Sequence, residues 1–184
     1  MFRSLLPVFA ISFFSCSSRY APPEKDMKDF FTQWHNGVLA KNTFLLVDSI
    51  ESGAEWCSLF KKLAPLKDTI LTSSEIDFIA NEMKNTVHSI WGYSVFDKSK
   101  IVTQHYIDSL AKSDSSKFHL LSLKSKHILI QYKFSLPYFS KDKNFCVLYY
   151  DYYCGSLCAE TSLQLYKKIN GKWIFVKSYF RSVS

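Results

Sequence analysis

Two cysteines separated by three residues, Cys154 and Cys158, stand at the end of a run of tyrosines in "YYCGSLCAE". Thiols this close serve redox exchange, half of a metal site, or a disulfide staple. Thioredoxin-type exchange uses C-x-x-C at a helix N-terminus, where the helix dipole lowers a thiol pKa. Here the spacing is one residue longer and the surroundings read as strand and turn. A structural zinc site wants four ligands in paired spacing. Cys57 and Cys146 stand alone, and no histidine pair sits at i, i+4 or within H-E-x-x-H. If Gly155-Ser156-Leu157 makes a three-residue turn, Cys154 and Cys158 oppose each other across a hairpin. Their Cβ atoms are then about 4.5–5.5 Å apart, close to disulfide geometry. A structural disulfide is the expectation, with two buried free thiols as the alternative; neither a metal nor a cofactor is expected.

Asp151 and Glu160 flank the same turn. In that register Glu160 opposes Tyr152 and Asp151 opposes Thr161, so the two acids point to opposite faces and make no carboxylate dyad. Asp151 alone, on a strand among tyrosines, is the candidate general base. The plainer reading is a carboxylate held by a tyrosine hydroxyl. The histidines, at 35, 88, 105, 119 and 127, are scattered. No G-x-S-x-G, P-loop or dinucleotide fingerprint is present.

The elements that must position these residues change period along the chain. A first helix should begin near Pro23-Glu24, with Met27, Phe30, Phe31, Trp34 and Val38 on one stripe and acids in its first turn. "TFLLVDSI", 43 to 50, is ambiguous between strand and helix. "AEWCSLFKKL" sets Trp56, Phe60 and Leu63 on one helical face, and Ala64-Pro65 should stop it. Thr72 and Glu75 have capping-box spacing ahead of Ile76, Ile79, Ala80, Met83 and Val87. A weaker helix is expected over 102 to 112. Beyond it the period becomes two: "KHILIQYKF" alternates Gln131 and Lys133 against Ile130, Tyr132 and Phe134. "NFCVLYYDYYC" is apolar on both faces, as a central strand is. "TSLQLYKKI" and "KWIFVKSYF" flank Asn170-Gly171, a two-residue hairpin turn that would set Leu165 against Val176 and Tyr166 against Phe175. Helices followed by an antiparallel meander of four or five strands predict an α+β fold, one face of the sheet packed on the helices.

The 184 residues suit one domain. Apolar residues are 47% and charged residues 21%, which excludes a disordered chain, and aromatics at 17% suit packed strands. The net charge of +7 comes from lysines spread along the chain, without a nucleic-acid-binding motif, so no nucleic-acid partner is expected.

"MFRSLLPVFAISFFSCSSRY" has a basic start at Arg3 and an apolar run from Leu5 to Phe14, followed by small residues. That run is shorter than the about 20 residues a membrane-spanning helix needs, so it reads as an export signal. Ser15-Cys16 at its end resembles the lipobox of bacterial lipoproteins, with Phe13 where that family prefers Leu. The resemblance implies cleavage before Cys16, acylation of Cys16, and a lipid anchor in the bacterial cell envelope, at the outer membrane or periplasmic face.

Ser135 to Trp173 resembles small exported proteins and lipoproteins of Bacteroidota that share a "P-x-F-S-x-D" lead-in, "Y-Y-C-G-x-L-C" and an "N-G-K-W" hairpin. Pro137, Phe139, Ser140, Asp142, Tyr152 to Gly155, Leu157, Cys158 and Asn170 to Trp173 carry the match, and Ala159 departs from it. That family implies no activity. The closing strand pair also resembles the cone-shaped sheet of the nuclear-transport-factor-2-like superfamily, a likeness of fold alone.

The expected organisation is a signal peptide over 1–15, a lipidated cysteine and tether over 16–24, and one globular domain over 25–184. The expected role is non-catalytic binding of a small molecule or protein. The alternative is a small hydrolase or isomerase of the cone fold using Asp151 beside a tyrosine.

Overall fold

The computed structural model describes residues 21–34, 44–47, 50, 52–67, 69–86, 95–96, 101–103, 105–106, 109, 130–155 and 158–184. The side chains of Phe44, Leu45, Ile130, Cys154 and Gly155 are not described. The expected signal, Cys16, and the stripe residues Val38 and Val87 lie outside the described residues.

The first helix, α1 (Glu24–Trp34), starts where the sequence places it, with Glu24 and Asp26 in its first turn and Phe30, Phe31 and Trp34 buried. The ambiguous stretch is a strand, β1 (Phe44–Val47). Helix α2 (Gly53–Lys67) corrects the expected stop at Ala64-Pro65, because Pro65 lies inside it. Pro65 has no N–H to give to the helix, yet the last turn is pinned from outside. Lys67 Nζ donates to the Tyr179 carbonyl, and Lys177 Nζ donates to the Lys67 carbonyl. Helix α3 (Ser73–Lys84) has the expected capping box: Thr72 Oγ1 accepts from the Glu75 N–H, and the Glu75 carboxylate accepts from the Thr72 N–H. Ile76, Ile79, Ala80 and Met83 form its buried stripe.

Strand β2 (Ile101–Val102) takes the start of the expected weak helix. His105, Tyr106 and Ser109 have helical backbone, and other positions of that span lie outside the described residues. The strands β3 (Ile130–Phe134), β4 (Tyr138–Phe139), β5 (Phe145–Gly155), β6 (Cys158–Ile169) and β7 (Lys172–Val183) follow.

The fold is α+β. The sheet runs β2-β1-β3-β5-β6-β7, with β4 also paired to β5. The expected antiparallel meander is present, and β1 extends it by pairing in parallel with both β3 and β2. Strand β5 is central, as its two apolar faces predict: every residue from Phe145 to Tyr150 is buried.

Helices cover both faces of the sheet rather than one. Tyr149 and Tyr150 are neighbours on β5 and so point to opposite sides. Trp56 of α2 stacks on Tyr149 at 4.0 Å between ring centroids, whereas Trp34 of α1 meets Tyr150 edge-on at 5.9 Å.

The hairpin register holds from Ile169↔Lys172 to Tyr166↔Phe175 and then departs from expectation. Leu165 faces Lys177, not Val176, and Leu163 faces Phe180, because Val176 and Tyr179 are extra residues of two bulges. The bulges rotate β7 so that Tyr179 is fully buried against Phe60.

Candidate functional site

The "P-x-F-S-x-D" lead-in builds a turn. Ser140 Oγ donates to Asp142 and accepts from the Phe145 N–H, while the Asn144 N–H donates to the same carboxylate. The Ser140 hydrogen bond, with those from Asn144, holds the Asp142 carboxyl below its ordinary range. "N-G-K-W" is a turn likewise, with positive φ at Asn170 (49°) and Gly171 (77°). The Gln33 side chain of α1 clamps it, donating to the Gly171 carbonyl and accepting from the Trp173 N–H.

At the cysteine turn the register is Tyr153↔Ala159 and then Gly155↔Cys158. The expected three-residue turn is therefore a two-residue one, and Cys154 is the extra residue of a bulge, where two residues face one. Among the described residues the free thiols are Cys57 and Cys146, both buried. Burial pushes both thiols up, Cys146 furthest, which makes them poor nucleophiles. The disulfide between Cys154 and Cys158 stays a proposal, since the Cys154 side chain is outside the described residues.

The two acids lie as the sequence predicts. Asp151 faces Thr161 and Glu160 faces Tyr152, which puts the carboxylates on opposite faces. Glu160 is buried on the α1 side at the end of a hydrogen-bond chain. Trp34 Nε1 donates to Tyr166, Tyr166 to Gln164, Gln164 Nε2 to Tyr150, and Tyr150 to Glu160 Oε1 at 2.8 Å. Arg181 donates to the second oxygen at 2.9 Å. Burial alone would raise the Glu160 carboxyl, but the Arg181 and Tyr150 hydrogen bonds and the Arg181 charge outweigh it and hold the group low. Burial, then the carboxylate that accepts its proton, pushes the Tyr150 hydroxyl up. Every member of this chain has a partner.

Asp151 is different. It lies two residues beyond Tyr149 on the face that α2 covers, and the Tyr149 hydroxyl donates to its Oδ2. Its Oδ1 is buried with no hydrogen-bond partner. The indole N–H of Trp56, stacked over Tyr149, is also buried without a partner.

Asp151 lines a groove of about 380 Å³, within the range of small-molecule sites. Two rows of side chains across β3, β5 and β6 build it: Lys133, Asp151 and Thr161, then Gln131, Tyr153 and Ala159. Gln131 is only 9% exposed. Tyr153 presents its ring at the edge, 39% exposed.

Sequence reasoning named Asp151 but missed Gln131 and Thr161. The available signal was the alternation in β3, which puts Gln131 and Lys133 on one face, together with the Asp151–Thr161 register. No group of His, Cys, Asp and Glu among the described residues has the geometry of a metal site, and no described helix is long and apolar enough to cross a membrane. No protein-family model matches the chain, and no curated protein or solved structure matches it.

Proposed function

We propose that this chain is an exported, lipid-anchored binding domain of the bacterial cell envelope that holds a small polar ligand in the groove beside Asp151. The observation that carries the ligand half is Asp151: its Oδ1 is buried without a hydrogen-bond partner, which costs free energy that a donor on a bound ligand would recover. The anchor half rests on the lipobox-like Ser15-Cys16.

Two measurements test the two halves. In a bacterial host with lipoprotein export, the full chain should take up a fatty-acid probe, and Cys16→Ala should not. Unlabelled, soluble wild-type protein overturns the anchor. A panel of small polar metabolites titrated into the isotope-labelled protein should shift the Gln131 side-chain amide signals. If no member moves them, the groove is not a binding site.

An enzyme using Asp151 as general base needs a closed pocket around it; the groove is open, so binding is the better supported reading. The nuclear-transport-factor-2-like cone belongs to the same proposal. The two bulges of β7 support it, since bulges supply the bending that a strongly curved sheet requires.

A further inference from the structure

We infer that the groove takes a neutral, hydroxyl-rich molecule of the monosaccharide class, an inference that rests on the binding reading above. Its lining brings one cation and one anion, Lys133 and Asp151, so the site carries no net charge to offset a charged ligand. Its hydrogen-bonding demand is mixed. Asp151 Oδ1 only accepts, whereas the Gln131 amide and the Thr161 hydroxyl both donate and accept. An ammonium group, which only donates, leaves the Gln131 and Thr161 donors unanswered, and a carboxylate, which only accepts, leaves Asp151 Oδ1 unanswered. Adjacent hydroxyls, each donor and acceptor at once, satisfy all three.

The spacing agrees. Gln131, Asp151 and Thr161 lie on three neighbouring strands, which span about 10 Å, room for one sugar ring and its substituents. The half-exposed Tyr153 ring borders them as a flat apolar surface of the kind the C–H face of a pyranose covers.

The test uses the full-length exported chain in detergent, with glucose, galactose, mannose and N-acetylglucosamine as probes and glycine and ethanolamine as contrasts. At least one sugar should shift both the Gln131 side-chain amide and the Tyr153 ring signals. Gln131→Leu, Asp151→Asn and Thr161→Val should each weaken that sugar about tenfold or more. Three variants at separate positions, each checked for native circular dichroism, keep the test open if one fails to fold, and the wild-type shifts need no variant. If only glycine or ethanolamine moves the Gln131 signals, the sugar class is wrong while the binding site stands. If no probe moves them, both readings fall. A sugar whose affinity none of the folded variants alters binds elsewhere, which also overturns the inference.

Discussion

Tyr150 accepts from the half-buried Gln164 and donates to the buried Glu160, so it joins the two side chains. Replacing it with Phe keeps the ring in place and leaves both partners short of a bond. Tyr150→Phe should therefore cost about 1–3 kcal/mol in urea unfolding. A loss near zero would mean that solvent reaches the site and repairs both bonds. Glu160 adds a pH dependence whose sign follows from its shift. Its carboxyl lies below the ordinary 4.5 in the folded chain, so its stabilisation is complete above that value and disappears as pH falls through the lower folded value. The stability difference between wild type and Glu160→Gln should shrink as pH is taken down from neutral through 4.5 and below. A difference constant across that window would show that the Arg181 contact contributes nothing through charge. At Asp151 the same kind of contact is only half made, since one oxygen has Tyr149 and the other has no partner. That contrast between two carboxylates one strand apart separates a structural acid from a site acid, and neither residue type nor spacing expresses it.

At the scale of elements, the closest joint is Gly53 at the start of α2. A Cβ built there would lie 2.1 Å from the Tyr138 hydroxyl and 2.8 Å from the Met83 carbonyl, so α2, α3 and β4 meet where only glycine fits. Because one of those neighbours is backbone, Gly53→Ala should destabilise by about 1–3 kcal/mol or more, read as a lowered melting temperature. Gly171 makes the opposite case. A Cβ there meets nothing within 4 Å, but φ is +77°, so the cost of Gly171→Ala is conformational, about 1–2 kcal/mol. If Gly171→Ala proves the costlier change, the tight packing assigned to Gly53 is wrong. Elements fixed by local rules were legible in the chain: the start of α1, the Thr72–Glu75 box, and the hairpin register out to Tyr166–Phe175. What was not legible depends on partners far along the chain. The short strand β1 is recognisable only beside β3 and β2, and α2 passes Pro65 because β7 holds its last turn. The bulges at Val176 and Tyr179, the second of which sets Tyr179 against Phe60 of α2, are not encoded in the alternation of β7. For the site, Asp151 stood out as an acid among tyrosines. Gln131 did not, because alternation assigns it to a polar face without saying that this face is buried.

Across the whole molecule, the central strand gives each helical layer half of its core. Phe30 of α1, fully buried, meets Tyr166 and Trp173 on one face, while Phe60 of α2 meets Tyr179 on the other. The layers do not depend on each other through direct contact alone. Both need β5 and β6 flat against them, and the register of those strands turns every side chain to the wrong face if it slips by one residue. A cavity opened on one side should therefore be felt on the other. Phe30→Ala removes a ring with edge contacts to Phe31, Phe139, Tyr166 and Trp173 and should cost about 3–5 kcal/mol. If unfolding is one cooperative event, as is usual for a single domain of roughly this size, that loss should appear equally in amide exchange from α1 and from α3 on the opposite face. The measurement is native-state hydrogen exchange on wild type and Phe30→Ala, comparing the slowest amides of the two helices. Protection that falls in α1 while α3 keeps its wild-type value would mean that the layers open separately. The sheet would then be a shared wall between two units rather than the spine of one.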